Sequence, residues 1–204
     1  MRSRPILTTF LALALSLAVA PRVAAQRTSP AAPALRVRPA VQTRVEQALL
    51  AIDTSAPPAF WASLGSEGLA ALAVILDDGA RPAGLRRRAV VALGHYDVAA
   101  AHALLDALAR SRTEDEIVSL RALDVLATLR GASALTAIER GLADPRALVR
   151  EGAAQTLGRL VTEGAIDPAI ALRVLGPARA RETEAFVRLA LDRAVEARPE
   201  SAPR

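Results

Sequence analysis

The sequence predicts an all-α fold: a right-handed α-solenoid (alpha-alpha superhelix) of about four helix pairs. Three observations predict it. First, one phrase recurs. Leu85-Arg86-x-x-Ala89-Val90-x-x-Leu93-Gly94 returns as Val118-Ser119-x-x-Ala122-Leu123-x-x-Leu126-Ala127 and as Val149-Arg150-x-x-Ala153-Ala154-x-x-Leu157-Gly158. A looser copy is Phe186-Val187-x-x-Ala190-Leu191-x-x-Ala194-Val195, and the steps between first positions are 33, 31 and 37 residues. Self-similarity at a period of about 20 to 50 residues marks an array of units that bury their apolar faces only by stacking. Second, the chain is 52% hydrophobic yet 2% aromatic; such Ala- and Leu-rich material packs helices closely and suits strands poorly. Third, no segment alternates with a two-residue period, so no sheet is expected.

The first residues read as an export signal. Arg2 and Arg4 provide a positive start, Ile6 to Ala20 is uncharged and apolar, and Val23-Ala24-Ala25 offers the small residues of a cleavage site. Cleavage is expected after Ala25, giving a signal over 1–25. Ala18-Val19-Ala20 is a second candidate, followed unfavourably by Pro21. The apolar stretch is short of the ~20 residues that cross a bilayer comfortably, so stable membrane insertion after cleavage is not expected; an uncleaved anchor is the alternative. Residues 26–41, rich in Pro, Ala and Arg, read as a flexible linker. The repeat domain is expected over 42–197 and a frayed tail over 198–204.

Within the domain, Thr43 to Ile52 forms a short leading helix and Ala59 to Leu64 a helical turn carrying Phe60 and Trp61. Those two aromatics are expected to cover the open end of the first unit. Ser66 caps a helix bearing Leu69, Leu72, Ile75 and Leu76, which Asp78-Gly79 ends; Pro82 then lies near the start of the first repeated helix. The second pair runs over about Val98 to Arg110 and Glu114 to Leu129, with Thr113 as cap and Gly131 as stop. The third covers Ser133 to Leu142 and Pro145 to Val161, with Asp144 as cap. Pro168 to Leu175 follows, Gly176-Pro177 breaks it, and Arg181 to Ala197 is last.

The run Asp144-Pro145-Arg146-Ala147-Leu148-Val149-Arg150-Glu151-Gly152-Ala153-Ala154-Gln155-Thr156-Leu157-Gly158 closely resembles a short HEAT-like repeat of the phycobilisome-lyase type. The resemblance covers about Ser66 to Ala197, strongly in this unit and moderately in the others. It implies a structural ladder between neighbouring units, built from an Asp at the turn and an Arg early in the second helix. Asp144 and Arg150 match those positions, and Arg86 matches the arginine of the first copy. The second copy has Thr113 and Ser119 there, the last Arg181 and Val187. A scaffold of this kind specifies fold far better than activity.

Turning the repeated apolar positions inward leaves one stripe of each second helix free. The rows are Arg87, Val91, His95; Leu120, Asp124, Thr128; Glu151, Gln155, Arg159; and Arg188, Asp192, Glu196. This is the expected concave, partner-binding face, with Arg87, His95, Asp124, Glu151, Gln155, Arg159, Arg188 and Asp192 as its candidate contacts. Its signs are mixed, whereas a nucleic-acid binder needs a coherent basic stripe. Residues 1–25 hold Arg2, Arg4 and Arg22 and no acid, so the formal charge of +5 falls to +2 without them. All 26 basic side chains are arginine and asparagine is absent, a bias that a GC-rich genome explains. No nucleic-acid partner is expected.

Arg86-Arg87-Arg88 either grips an anion or divides between the ladder and surface cover. His95 and His102 lack the further ligands of a metal site, and no metal or cofactor is expected. Glu114-Asp115-Glu116 sits where a helix start favours acids. There is no cysteine, which excludes disulfides, thiol catalysis and lipid attachment at a thiol. Gly65-Ser66-Glu67-Gly68 lacks the nucleophile-elbow spacing, and no phosphate-binding or dinucleotide loop occurs.

These readings converge on an exported, non-catalytic protein-interaction scaffold of the bacterial cell envelope, periplasmic or secreted, whose partner is another protein. The alternative is an enzyme or enzyme subunit related to the lyase-type HEAT proteins. A third reading, a DNA-binding relative of repeat-built alkylation-repair proteins, conflicts with the export signal and the mixed face.

Overall fold

The computed structural model describes residues 37–51 and 56–199. The expected export signal, most of the linker and the last residues of the tail lie outside them. The described residues form α1 (Pro39–Leu50), α2 (Pro58–Asp77), α3 (Ala83–Leu93), α4 (Ala99–Arg110), α5 (Glu116–Arg130), α6 (Leu135–Leu142), α7 (Ala147–Thr162), α8 (Pro168–Arg181) and α9 (Ala185–Glu196), with a 3-10 turn over Gly131–Ala134 before α6. Among the described residues there is no strand.

Each repeated phrase lies on an odd-numbered helix. α3 packs on α5, α5 on α7 and α7 on α9, while α2, α4, α6 and α8 each pack against the helix that follows. These contacts are consistent with a helical bundle or a stacked array. α1 rests on both α2 and α3, burying Val41, Val45 and Leu49 while its other residues stay half-exposed or exposed. The repeated leucines Leu93, Leu126 and Leu157 are all 0% exposed, as are Leu72, Ile75, Leu105, Ile138 and Leu175. One apolar seam therefore threads every unit, and removing this surface from water stabilises the fold at roughly 25 cal/mol per Å².

The seam needs close approach as well as oil. A Cβ on Gly152 of α7 would overlap the side chain of Leu120 of α5, so glycine leaves room for that leucine at the crossing of the two helices. Gly65 takes φ 51° and ψ −142° and kinks α2 between residues 64 and 66. α2 is long and apolar enough by composition to cross a membrane, with mean hydropathy 1.6 over its window. Here its Ala71, Leu72, Ile75 and Leu76 belong to the common core.

Several local expectations change. α1 begins at Pro39, which suits a first helical position, so helix starts inside the segment read as linker. The N-cap of α5 is Asp115, which accepts from the amides of Ile117 and Val118; Thr113 is not the cap. α7 starts at Ala147, two residues later than expected, with Asp144 closing a turn on the Arg146 amide at 2.9 Å. Gly176-Pro177 does not break α8, which runs on to Arg181. Proline removes one helical hydrogen bond, and Arg173, Gly176 and Pro177 are exposed, so the lost bond falls on the solvent side of α8.

Candidate binding face of the odd-numbered helices

Ion pairs between successive units hold the odd-numbered helices in register. Arg86, 8% exposed, leaves α3 to meet Glu114 just before α5, donating from Nη1 to Oε1 at 2.6 Å and pairing also with Oε2. Its Nη2 donates to the Leu76 carbonyl at 2.8 Å, tying α2 into the same joint. Two units on, Arg150 of α7 makes a two-pronged pair with Glu182 before α9, Nε to Oε2 at 2.7 Å and Nη2 to Oε1 at 2.9 Å. Glu182 also accepts from the amides of Thr183 and Glu184. The Arg150 guanidinium holds its carboxyl down at about 2.

The middle unit has Ser119 where the others have arginine, and Arg146 fills the gap. Its Nη1 donates to the Glu114 carbonyl at 2.9 Å and its Nη2 to the Ser111 carbonyl at 2.9 Å, while Asp144 holds the guanidinium from the other side. Arg146 beside it holds the Asp144 carboxyl below its usual range, against the opposing effect of burial. Asp144 thus steers Arg146 with its carboxylate and reaches Arg150 only through its backbone carbonyl, at 3.0 Å.

Glu114, Glu182 and Arg146 are not among the ladder residues read from sequence. Alignment by the apolar phrase hides them. Counted from the residue preceding each helix (Pro82, Asp115, Arg146 and Glu184), Arg86, Ser119, Arg150 and Arg188 all fall at the fourth position. The apolar phrase matches Val187 to Arg150 instead, one residue early. The structure corrects it: Val187 is 0% exposed, Phe186 is 42% exposed, and Arg188 donates to the Glu182 carbonyl at 2.9 Å just as Arg150 does to that of Asp144.

The shift moves the last row of the free face. Arg188 is a ladder residue, and Asp192 turns to Arg179 of α8. The residues equivalent to Glu151, Gln155 and Arg159 become Leu189, Arg193 and Ala197. These three do line a groove of about 430 Å³ between α7 and α9, together with Glu151, Gln155 and Phe186. A second groove of about 280 Å³ lies between α5 and α7, edged by Leu120, Asp124, Gln155 and Arg159. A third, of about 250 Å³, lies between α1 and α3 and contains Arg87, Val91 and His95.

Most charges on this face are already paired. Arg159 donates to Asp124 at 3.0 Å and to both oxygens of Glu163 at 2.9 Å, and Arg121 reaches Asp124 at 3.0 Å. Gln155 donates to Glu151 at 3.0 Å. Trp61 is 3% exposed and stacks nearly parallel on His95, centroids 6.0 Å apart; Tyr96 fixes it by donating to the Trp61 carbonyl at 3.1 Å. Partial burial lowers the pKa of His95. His102 stands apart from this face, 3.0 Å from Asp97. Among the described residues no three potential metal ligands cluster.

Compared with protein-family models, curated proteins and solved structures, the chain matches none.

Proposed function

We propose that the chain is a right-handed HEAT-like solenoid of about four helix pairs, preceded by an export signal. On this reading it works as a non-catalytic interaction scaffold in the bacterial cell envelope and holds another protein against the concave face of its odd-numbered helices. The observation that carries the reading is the row of three grooves along α1, α3, α5, α7 and α9, with the Arg159–Asp124 and Gln155–Glu151 contacts holding the walls of the two between α5, α7 and α9. Preorganised side chains lose little freedom on association, which favours binding. The mixed signs of Glu151, Asp124, Arg159 and Arg193 favour a protein over a polyanion, which requires a run of uncompensated cations.

The test is site-specific photocrosslinking in the native envelope. Crosslinkers at Gln155 and Arg193 are expected to give one discrete protein adduct, and one at Glu139, exposed on α6, none. Glu151→Arg is expected to abolish the adduct. Equal labelling from all three positions, or none from any, overturns the reading.

A further inference from the structure

The groove between α1 and α3 differs from the other two in charge. Arg87, Arg88 and Arg121 all line it beside His95, and its described lining contains no carboxylate. In the neighbouring groove Arg159 is gripped by Asp124 and Glu163. Here, among the described residues, Arg87 has no ion-pair or hydrogen-bond partner and Arg88 donates only to the Leu49 carbonyl at 2.9 Å, while Arg121 is ion-paired through Nη1 with Asp124 at 3.0 Å. The structure has divided the Arg86-Arg87-Arg88 run: the first arginine is buried in the ladder, and the other two converge on one cavity.

Beside the arginines the same groove carries an aromatic and aliphatic surface. Trp61 and His95 lie within 9° of parallel, and Val91 is 47% exposed beside them. Guanidinium forks match the paired oxygens of a carboxylate or phosphate, and a ring edge packs well against an aromatic wall. A cavity of about 250 Å³ suits a small molecule. We infer that this groove is a binding site for a small organic anion, with its carboxylate or phosphate head on Arg87, Arg88 and Arg121 and its ring or branched body against Val91 and the exposed side of the His95 ring, which is backed by Trp61. This site shares Arg87 and His95 with the proposed protein-binding face, and its assignment rests on the residues of the cavity itself.

Trp61 is the chain's one tryptophan, so its emission reports on the cavity. The purified protein is titrated with phenylacetate, phenyl phosphate, phenylacetamide and inorganic phosphate, each followed by emission and by calorimetry. At least one aryl anion is expected to saturate, and whether it is phenylacetate or phenyl phosphate identifies the head group. Phenylacetamide and inorganic phosphate are expected to bind at least about tenfold more weakly, the equivalent of losing one charge-assisted contact. Arg87→Gln, at an exposed and unpaired position, is expected to weaken the aryl anion by about tenfold with helical content unchanged; Arg193→Gln, in the far groove, is expected to leave it unaltered. Binding of the amide as tight as the anion overturns the assignment. So does inorganic phosphate matching phenyl phosphate, indifference to Arg87→Gln, or no saturation of either aryl anion.

Discussion

Arg150 holds both carboxylate oxygens of Glu182, 32 residues further along the chain. The pair is nearly enclosed, with side-chain exposures of 17% and 4%, and it bridges α7 to the turn that starts α9. Removing one partner from such a pair leaves the other buried and uncompensated, which costs about 3–5 kcal/mol in well-buried cases. Arg150→Ala is therefore expected to destabilise the fold by about 2–4 kcal/mol in urea unfolding. Glu182→Gln keeps shape and part of the hydrogen bonding, and its loss is expected to be about half as large. Equal and negligible effects would remove the ladder from the account of stability.

Acid tests the same joint without mutation. The Glu182 carboxyl is lowered from 4.5 to about 2 by Arg150 and by the amides of Glu184 and Thr183. A lowered carboxylate contributes stability that is complete above its unfolded value and fades as pH falls toward its folded one. Unfolding free energy is expected to fall between about pH 5 and pH 2, by on the order of 2–3 kcal/mol from this group. The measurement is denaturant unfolding across that range. Glu182→Gln is expected to flatten the slope, and an unchanged slope in that variant contradicts the assignment.

Gly152 and Leu120 set the distance between α5 and α7. Gly152→Ala forces a Cβ into Leu120 and is expected to cost about 1–3 kcal/mol, the range of overpacked cores. Gly152→Ala combined with Leu120→Ala is expected to lose less than the sum of the two single losses, because the second change vacates the space the first one needs. Strict additivity would show that the two sites do not share this contact.

Trp61 and His95 provide a spectroscopic check on the end of the array. Burial lowers the His95 pKa, so the neutral ring persists to lower pH than for an ordinary histidine of about 6.5. Trp61 emission is expected to change on acidification with a midpoint below that value, and the transition is expected to vanish in His95→Gln. A midpoint at or above about 6.5 denies the stack its effect on the imidazole.

Much of the architecture is legible residue by residue. Leu93, Leu126 and Leu157 repeat at a spacing that only stacked helices satisfy, and all three are fully buried. α4 runs from Ala99 to Arg110, within a residue of its expected span. Caps are less legible, because Thr113, Glu114 and Asp115 are all polar and short-range, and only the observed turn selects Asp115. On α3, α5 and α7 the expected stripe residues Arg87, Asp124, Gln155 and Arg159 line grooves. On α9 the groove takes Leu189 and Arg193 in place of Arg188 and Asp192, while Glu196 of the expected row lines it.

Sequence by itself determined which segments coil and, for α3, α5 and α7, which side is apolar, because helical periodicity is local: residues three or four apart share a face whatever surrounds them. Tertiary structure alone decided which charges meet and how α9 is turned. Partners such as Arg86 and Glu114, or Arg150 and Glu182, come from different units and meet only once the helices have stacked. A one-residue change of register rotates a helix by about 100°, enough to carry a side chain from the free face into the ladder.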